Sequence, residues 1–287
     1  MNYNQNNKEQ NIEDSKAPLV SHLIELRDRL KWAVVFFFIT FCFCYYFATD
    51  IYNFLVKPLY NIYQEKGIEN PRMIYTALTE AFFTYLKVSF YGALFLSFPV
   101  IALQIYKFAA PGLYRDEKQA FFPFLIATPI LFSLGASLVY FFIFPLAWSF
   151  FLGFQTDTNS IGMAIELEAK VNEYLSLVLK LMFAFGLAFQ IPVALTLLSR
   201  AGIVTSNGLK KRRKYAVVIA FLVAAILTPP DLISQVGLGI PIVILFEISI
   251  LLSAFFERKK ILKDLKMKKK IQKKLLEKLI LMSKFNA

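Results

Sequence analysis

The chain has 287 residues, 57% of them hydrophobic and only 18% charged, with a mean hydropathy of +0.53. Soluble domains run to about 45–50% apolar residues even with glycine counted, so an ordinary soluble domain is excluded. The formal charge of +12 raises nucleic acid as a partner, but most of that excess flanks apolar runs or trails the last one. Basic flanks of that kind set the orientation of membrane spans and touch anionic lipid, which makes nucleic acid the weaker reading. One histidine, His22, and two cysteines, Cys42 and Cys44, leave no metal-spaced cluster, and no cofactor is implied. The cysteines lie two residues apart inside an apolar run, face different ways on a helix, and read as small hydrophobes.

Residues 1–18 form a polar tail. Next comes LVSHLIELRDRL, in which Leu19, Leu23, Leu26 and Leu30 form one helical stripe while His22, Glu25 and Arg29 share another face. Glu25 stands four residues before Arg29, a favourable ion-pair spacing. Uncharged stretches then mark six spans: Trp32 to Thr49, Val88 to Tyr106, 121–148 within a longer uncharged region, Tyr174 to Ser199, Tyr215 to Thr228, and Leu232 to Phe256. A span needs about 20 residues to cross ~30 Å of hydrocarbon. The first run ends in Ala48-Thr49-Asp50 without a small-x-small cleavage site, and therefore reads as a retained span. The fifth gives only about 21 Å of helix. Pro229-Pro230-Asp231 ends it, either as the turn between two spans or as the tip of a re-entrant hairpin; two spans is the preferred reading. The expected fold is an all-α bundle of six transmembrane helices with the last two short, covering residues 19–258 and followed by a basic tail, 259–287.

Charge assigns the sides. Residues 1–31, 107–118, 200–214 and 257–287 hold 5, 3, 6 and 12 Lys and Arg, against 3, 1 and none in 51–84, 151–173 and 229–231. Twenty-six against four places both termini in the cytoplasm. On the outer side, Tyr75 to Tyr85 and residues 157–173 are each expected to form an interfacial amphipathic helix capping the bundle. Lys180 is expected to snorkel to the outer headgroups.

The motifs HLIELRDRL, KFAAPGLYRDEK, FGLAFQIPV, RRKY and LTPPDLISQ occur in this order. Taken singly they read as a juxtamembrane helix, a solvated charged turn, a kinked span, a basic flank and a proline turn. Together they resemble the TatC family, the polytopic subunit of the twin-arginine translocase. That resemblance implies recognition of the paired arginines of signal peptides at the cytoplasmic face, with export of folded proteins driven by the proton gradient. The implied partners are small single-span subunits of the TatA and TatB type in a multi-copy complex, in a bacterial inner membrane and among its lipids. Glu25 and Glu117 match the family's two site carboxylates and Phe108 its neighbouring aromatic; Arg27 and Arg115 fall in the same motifs. Carboxylates suit this task because a guanidinium is a permanently charged planar fork that they accept bidentately.

Within the membrane, Gln190 stands where many relatives carry glutamate, which removes any role needing ionisation there. Its side chain is either satisfied by a neighbouring helix or used in subunit contact. Asp231 and Gln235 match the family's outer turn, and Glu247 either faces the bundle or meets a partner. A small-solute transporter would show inverted repeats and midplane charges, and a membrane enzyme would show a nucleophile with its base. Neither pattern is found, and the chain reads as a non-enzymatic receptor.

Overall fold

A computed structural model describes residues 3–68, 71–113, 118–155, 167–227 and 232–285. In chain order the helices are α1 (Tyr3–Tyr46), α2 (Ala48–Glu65), α3 (Glu80–Leu113), α4 (Lys118–Leu138), α5 (Phe144–Leu152), α6 (Val171–Ala188), α7 (Ile191–Arg200), α8 (Ser206–Lys211), α9 (Arg213–Leu227) and α10 (Leu232–Phe285). One π turn, Val139–Ile143, joins α4 to α5. Five stretches are long and apolar enough to cross a membrane: Leu23–Tyr46, Glu80–Phe108, Pro123–Leu152, Val171–Arg200 and Gln235–Lys259. The 15-residue α9 is the short sixth. Its neighbour is not short, since Gln235–Lys259 has 25 residues.

The N-terminal polar segment, the amphipathic stripe and the first span form one unbroken helix, α1, which runs through Pro18. Single residue Phe47 leaves helical geometry and turns the chain into α2. This helix buries Leu55, Pro58, Leu59, Ile62 and Tyr63 on one face and exposes Asn53, Lys57, Asn61 and Gln64 on the other. Gly67, at φ +67°, supplies the left-handed turn that follows.

The outer amphipathic helices fall elsewhere than expected. Tyr75 to Tyr85 is a turn followed by the start of α3, and the interfacial helix at this end is α2. Glu80 explains the split: its carboxylate accepts from the amides of Thr76 (2.8 Å) and Ala77 (3.3 Å), and from that of Asn172 (3.2 Å) at the head of α6. One side chain thus fixes the turn before α3 and caps α6. Of 157–173, residues up to 166 lie outside the described region, Ala169–Lys170 pairs in parallel with Met73–Ile74, and Val171 opens α6.

Further bonds tie this cap down. Pro58 has no amide to give the carbonyl of Phe54, and the Tyr140 hydroxyl donates to that oxygen at 2.8 Å. The Tyr174 hydroxyl donates to the carbonyl of Leu55 at 2.9 Å, and Arg72 pairs with Glu168 at 3.0 Å. Burial raises the phenols of Tyr52 and Tyr63 above the ordinary tyrosine value, so both remain protonated donors.

The core is built along α6, with α2, the π turn and α5 on one side and α3 and α4 on the other. Phe132, Phe144, Leu175, Val178 and Phe185 are fully buried there, and the rings of Phe98 and Phe132 stack at 3.9 Å. Gly135 and Gly186 let these helices close: a Cβ on Gly135 would meet the Phe185 carbonyl oxygen at 2.6 Å, and one on Gly186 would meet the Phe132 ring at 2.5 Å. Gly135→Ala is therefore expected to cost about 1–3 kcal/mol by overpacking, read as a lowered Tm in detergent. Gly237→Ala, with nothing within 4 Å of the added carbon, should leave Tm unchanged. Equal melting of the two variants would refute this account of the seam.

Candidate functional site

The first site motif lies on α1 at the end of the bundle that carries the basic connections. Glu25 is half-buried and accepts two bonds from the Arg29 guanidinium, Nε at 3.0 Å and Nη2 closer still. The i,i+4 spacing read from the sequence is thus a formed ion pair. Arg27 is turned away to an exposed pair with Asp28 at 3.0 Å. α1 packs along α3. Phe37 meets Phe90 with ring centroids 5.4 Å apart, and the Cys44 sulfur lies 3.3 Å from where a Cβ on Gly92 would stand. Half-buried Phe108 lies in the last turns of α3. Arg115, Glu117 and Asp231 lie outside the described residues.

Gln190 marks a break. Its amide bonds back three residues to Leu187 at 2.9 Å, a tight turn between α6 and α7 that Pro192 then prevents from becoming regular helix. The side chain repairs part of this, as Nε2 donates to the Thr128 carbonyl on α4 (3.1 Å) and to the Gly186 carbonyl (3.4 Å). Thr128 continues the network to the Tyr106 hydroxyl on α3 at 2.9 Å. Oε1 of Gln190 is buried and has no partner among the described residues. The neighbouring-helix reading therefore holds for the nitrogen, while the oxygen stays available as an acceptor.

Glu247 is paired within the chain: the Arg213 guanidinium at the head of α9 donates to it at 2.6 Å. Gln235 bonds the Phe221 carbonyl at 3.4 Å and so ties the start of α10 to α9. Lys180 is exposed on α6. Lys87, just before the second span read from the sequence, donates to Asn172 (2.6 Å) and Ser176 (2.8 Å).

A clasp the sequence reading missed sits near the basic end. Glu257 of α10 accepts from the Ser206 amide (2.7 Å), the Ser206 hydroxyl (2.5 Å) and the Ser199 hydroxyl (3.1 Å), joining α7, α8 and α10. Beside it the Arg200 guanidinium lies over the rings of Phe256 (5.1 Å) and Phe124 (5.7 Å), which extends the clasp to α4 just beyond the RDEK turn. The sequence counts Glu257 only as part of the basic segment 257–287. Only the serines before and within TSNG, 58 and 51 residues upstream, could have signalled its role.

No group of three or more His, Cys, Asp or Glu able to hold a metal occurs among the described residues. What the basic end offers is a half-buried carboxylate already oriented by a guanidinium, a geometry suited to exchange with another guanidinium.

Comparison with known proteins gives one result throughout. The family profile of "Sec-independent protein translocase protein (TatC)" matches residues 21–241. The TatC protein of Magnetococcus marinus is 51% identical over 247 residues, 86% of this chain and 88% of that one. That of Escherichia coli K12 is 40% identical over 245 residues, 85% of this chain and 91% of the relative. A crystal structure described as the twin arginine translocase receptor TatC superposes with a TM-score of 0.69 at 38% identity, covering 82% of this chain and 98% of that one. The same receptor in DDM gives 0.71 at 39% identity, with 81% and 99% covered.

Glu257→Ala leaves the Ser206 amide without its acceptor and should cost about 1–3 kcal/mol, lowering Tm in detergent. Glu257→Gln still accepts and should lose less. An alanine variant as stable as the parent would mean that the clasp carries no weight.

Proposed function

The chain belongs to the TatC family of twin-arginine translocase proteins, and from that premise we propose that it is the subunit that recognises twin-arginine signal peptides. It is a membrane component of a protein translocase, working with other subunits of that system, and not an enzyme. The observation that carries the finer reading is Glu25, half-buried on α1 and oriented by Arg29.

Two successive arginines present two forks, and two carboxylates on adjacent elements receive them. Glu25 takes one by sharing or releasing Arg29, and Glu117 in RDEK takes the other. Phe108 offers a ring face along the peptide. Lysine, a point charge without the fork, is a poorer substitute. Arg27, Arg115 and the basic surroundings repel peptides that are merely cationic.

This recognition belongs to the cytoplasmic face, with both termini inside, as the excess of 26 basic residues over four supports. The membrane is the bacterial inner membrane, and the proton gradient drives transport. Small single-span subunits complete the passage for folded cargo. Gln190 is a candidate for contact with such a subunit, and Asp231 and Gln235 form a second contact near the outer turn. A partner donor at Gln190 needs no ionised residue, so glutamine serves.

The test is photocrosslinking of a signal peptide in membranes, with probes at positions 25, 108 and 117. Labelling is expected with an Arg-Arg peptide and should fade with Lys-Lys. Equal labelling by both would refute the twin-arginine site. Glu25→Ala and Glu117→Ala should each weaken peptide binding by about 2–5 kcal/mol while leaving the protein inserted. Normal export by the double variant would overturn the assignment. A chain ending at residue 259 should keep peptide crosslinking, and its loss in a well-inserted truncation would give the basic tail a part in recognition.

A further inference from the structure

A groove of about 500 Å³ runs between α6, α9 and α10. Its walls are hydrocarbon, with Ala184 and Ala188 on α6, Ala216, Ala220 and Leu227 on α9, and Phe246 on α10. The alanines make the hollow: on α9, Ala216, Ala220, Val223 and Leu227 recur at helical spacing, so the floor is continuous along one face. From Ala216 to Leu227 it is about 16 Å long, close to half of a ~30 Å hydrocarbon core. That is the depth reached by an acyl chain from one leaflet. A helix of that length and about 10 Å across fills about 1,300 Å³, far more than the groove offers.

One end of the groove is chemically distinct. The residues immediately before Ala216 and Tyr215 are Lys210-Lys211-Arg212-Arg213-Lys214. Arg213 is held by Glu247, the one carboxylate pairing with any of the five among the described residues. Lys210, Lys211, Arg212 and Lys214 are exposed. Arg212 stands four residues ahead of Ala216, one turn beyond the hydrocarbon floor. An apolar slot one leaflet deep therefore opens beneath a cluster of cations.

We propose that this groove binds one anionic phospholipid, one of its two acyl chains along Ala216–Leu227 and its phosphate among Lys211, Arg212 and Lys214. The groove supplies the fit and the cations supply the selection by charge. The slot without the cations accepts any acyl chain, and the cations without the slot hold lipid only as a screened surface does.

The test uses the full-length protein in detergent, with phosphatidylglycerol or phosphatidylcholine of identical chains, and counts retained lipid by native mass spectrometry. Phosphatidylglycerol should remain bound at activation energies that strip phosphatidylcholine, and soluble glycerol phosphate should not displace it. Ala216→Phe, which fills the mouth, should cut retention at least tenfold. Ala188→Leu, filling the opposite wall, gives a second reading should the first variant fail to fold by circular dichroism. Replacing Lys211, Arg212 and Lys214 with Gln should preserve retention and abolish the preference for phosphatidylglycerol. Three results would overturn the proposal: equal retention of both lipids by the parent, undiminished retention in the filled variants, or displacement by glycerol phosphate. A crosslink from position 220 to a protein helix in membranes, with no lipid retained, would reassign the groove to a partner chain.

Discussion

Inside a bilayer no water is available for a bare carbonyl, so every break in a helix must be answered by another part of the protein. This chain breaks its helices often, and the answers form its architecture. Pro58 strips a donor from α2, and the Phe54 carbonyl is met by Tyr140 from the π turn between α4 and α5. The turn at Gln190 exposes the Gly186 carbonyl, and the same glutamine folds back towards it while reaching α4. The tyrosine fastens α2 over one end of the bundle, and the glutamine couples the fourth span to the third at the kink. Each irregularity creates a need for a donor: a tyrosine from another helix meets the first, and the glutamine at the break itself meets the second.

Charge obeys the same rule. Glu80 is spread over three amides at the heads of α3 and α6. Lys87 is absorbed by Asn172 and Ser176, Glu247 by Arg213, and Glu257 by two serines. A charge removed from water is tolerable when hydrogen bonds or an opposite charge replace its hydration. Against this background Glu25 is distinctive because its partner, Arg29, sits on the same helix. A pair within one helix can open without unpacking two spans, which suits a carboxylate that must change partners.

The spans were legible in the sequence because uncharged length is what a bilayer demands. Their ends were less so. The charge criterion clipped the second span at Val88, while α3 begins at Glu80; Lys87 looked like a boundary only because Asn172 and Ser176 lie 85 and 89 residues away. α2 was hidden by its polar face and by Pro58, which reads as a breaker until a tyrosine from elsewhere is seen to satisfy the orphaned carbonyl. The Glu25–Arg29 pair was legible because it is local, at i,i+4. The Glu257 clasp was not, because its donors are contributed by two other helices. Contacts within about one turn can be read from a string; those made by folding cannot.

α10 runs without interruption from Leu232 to Phe285. Its last 26 residues beyond Lys259 extend about 39 Å if straight. Mechanically this is a lever whose fulcrum is Glu257, bound to the junction of α7 and α8. A tilt of about 10° between α9 and α10 inside the bilayer displaces the far tip by roughly 7 Å. Any tilt of α10 among the spans would therefore be several times larger at its far tip than within the bilayer.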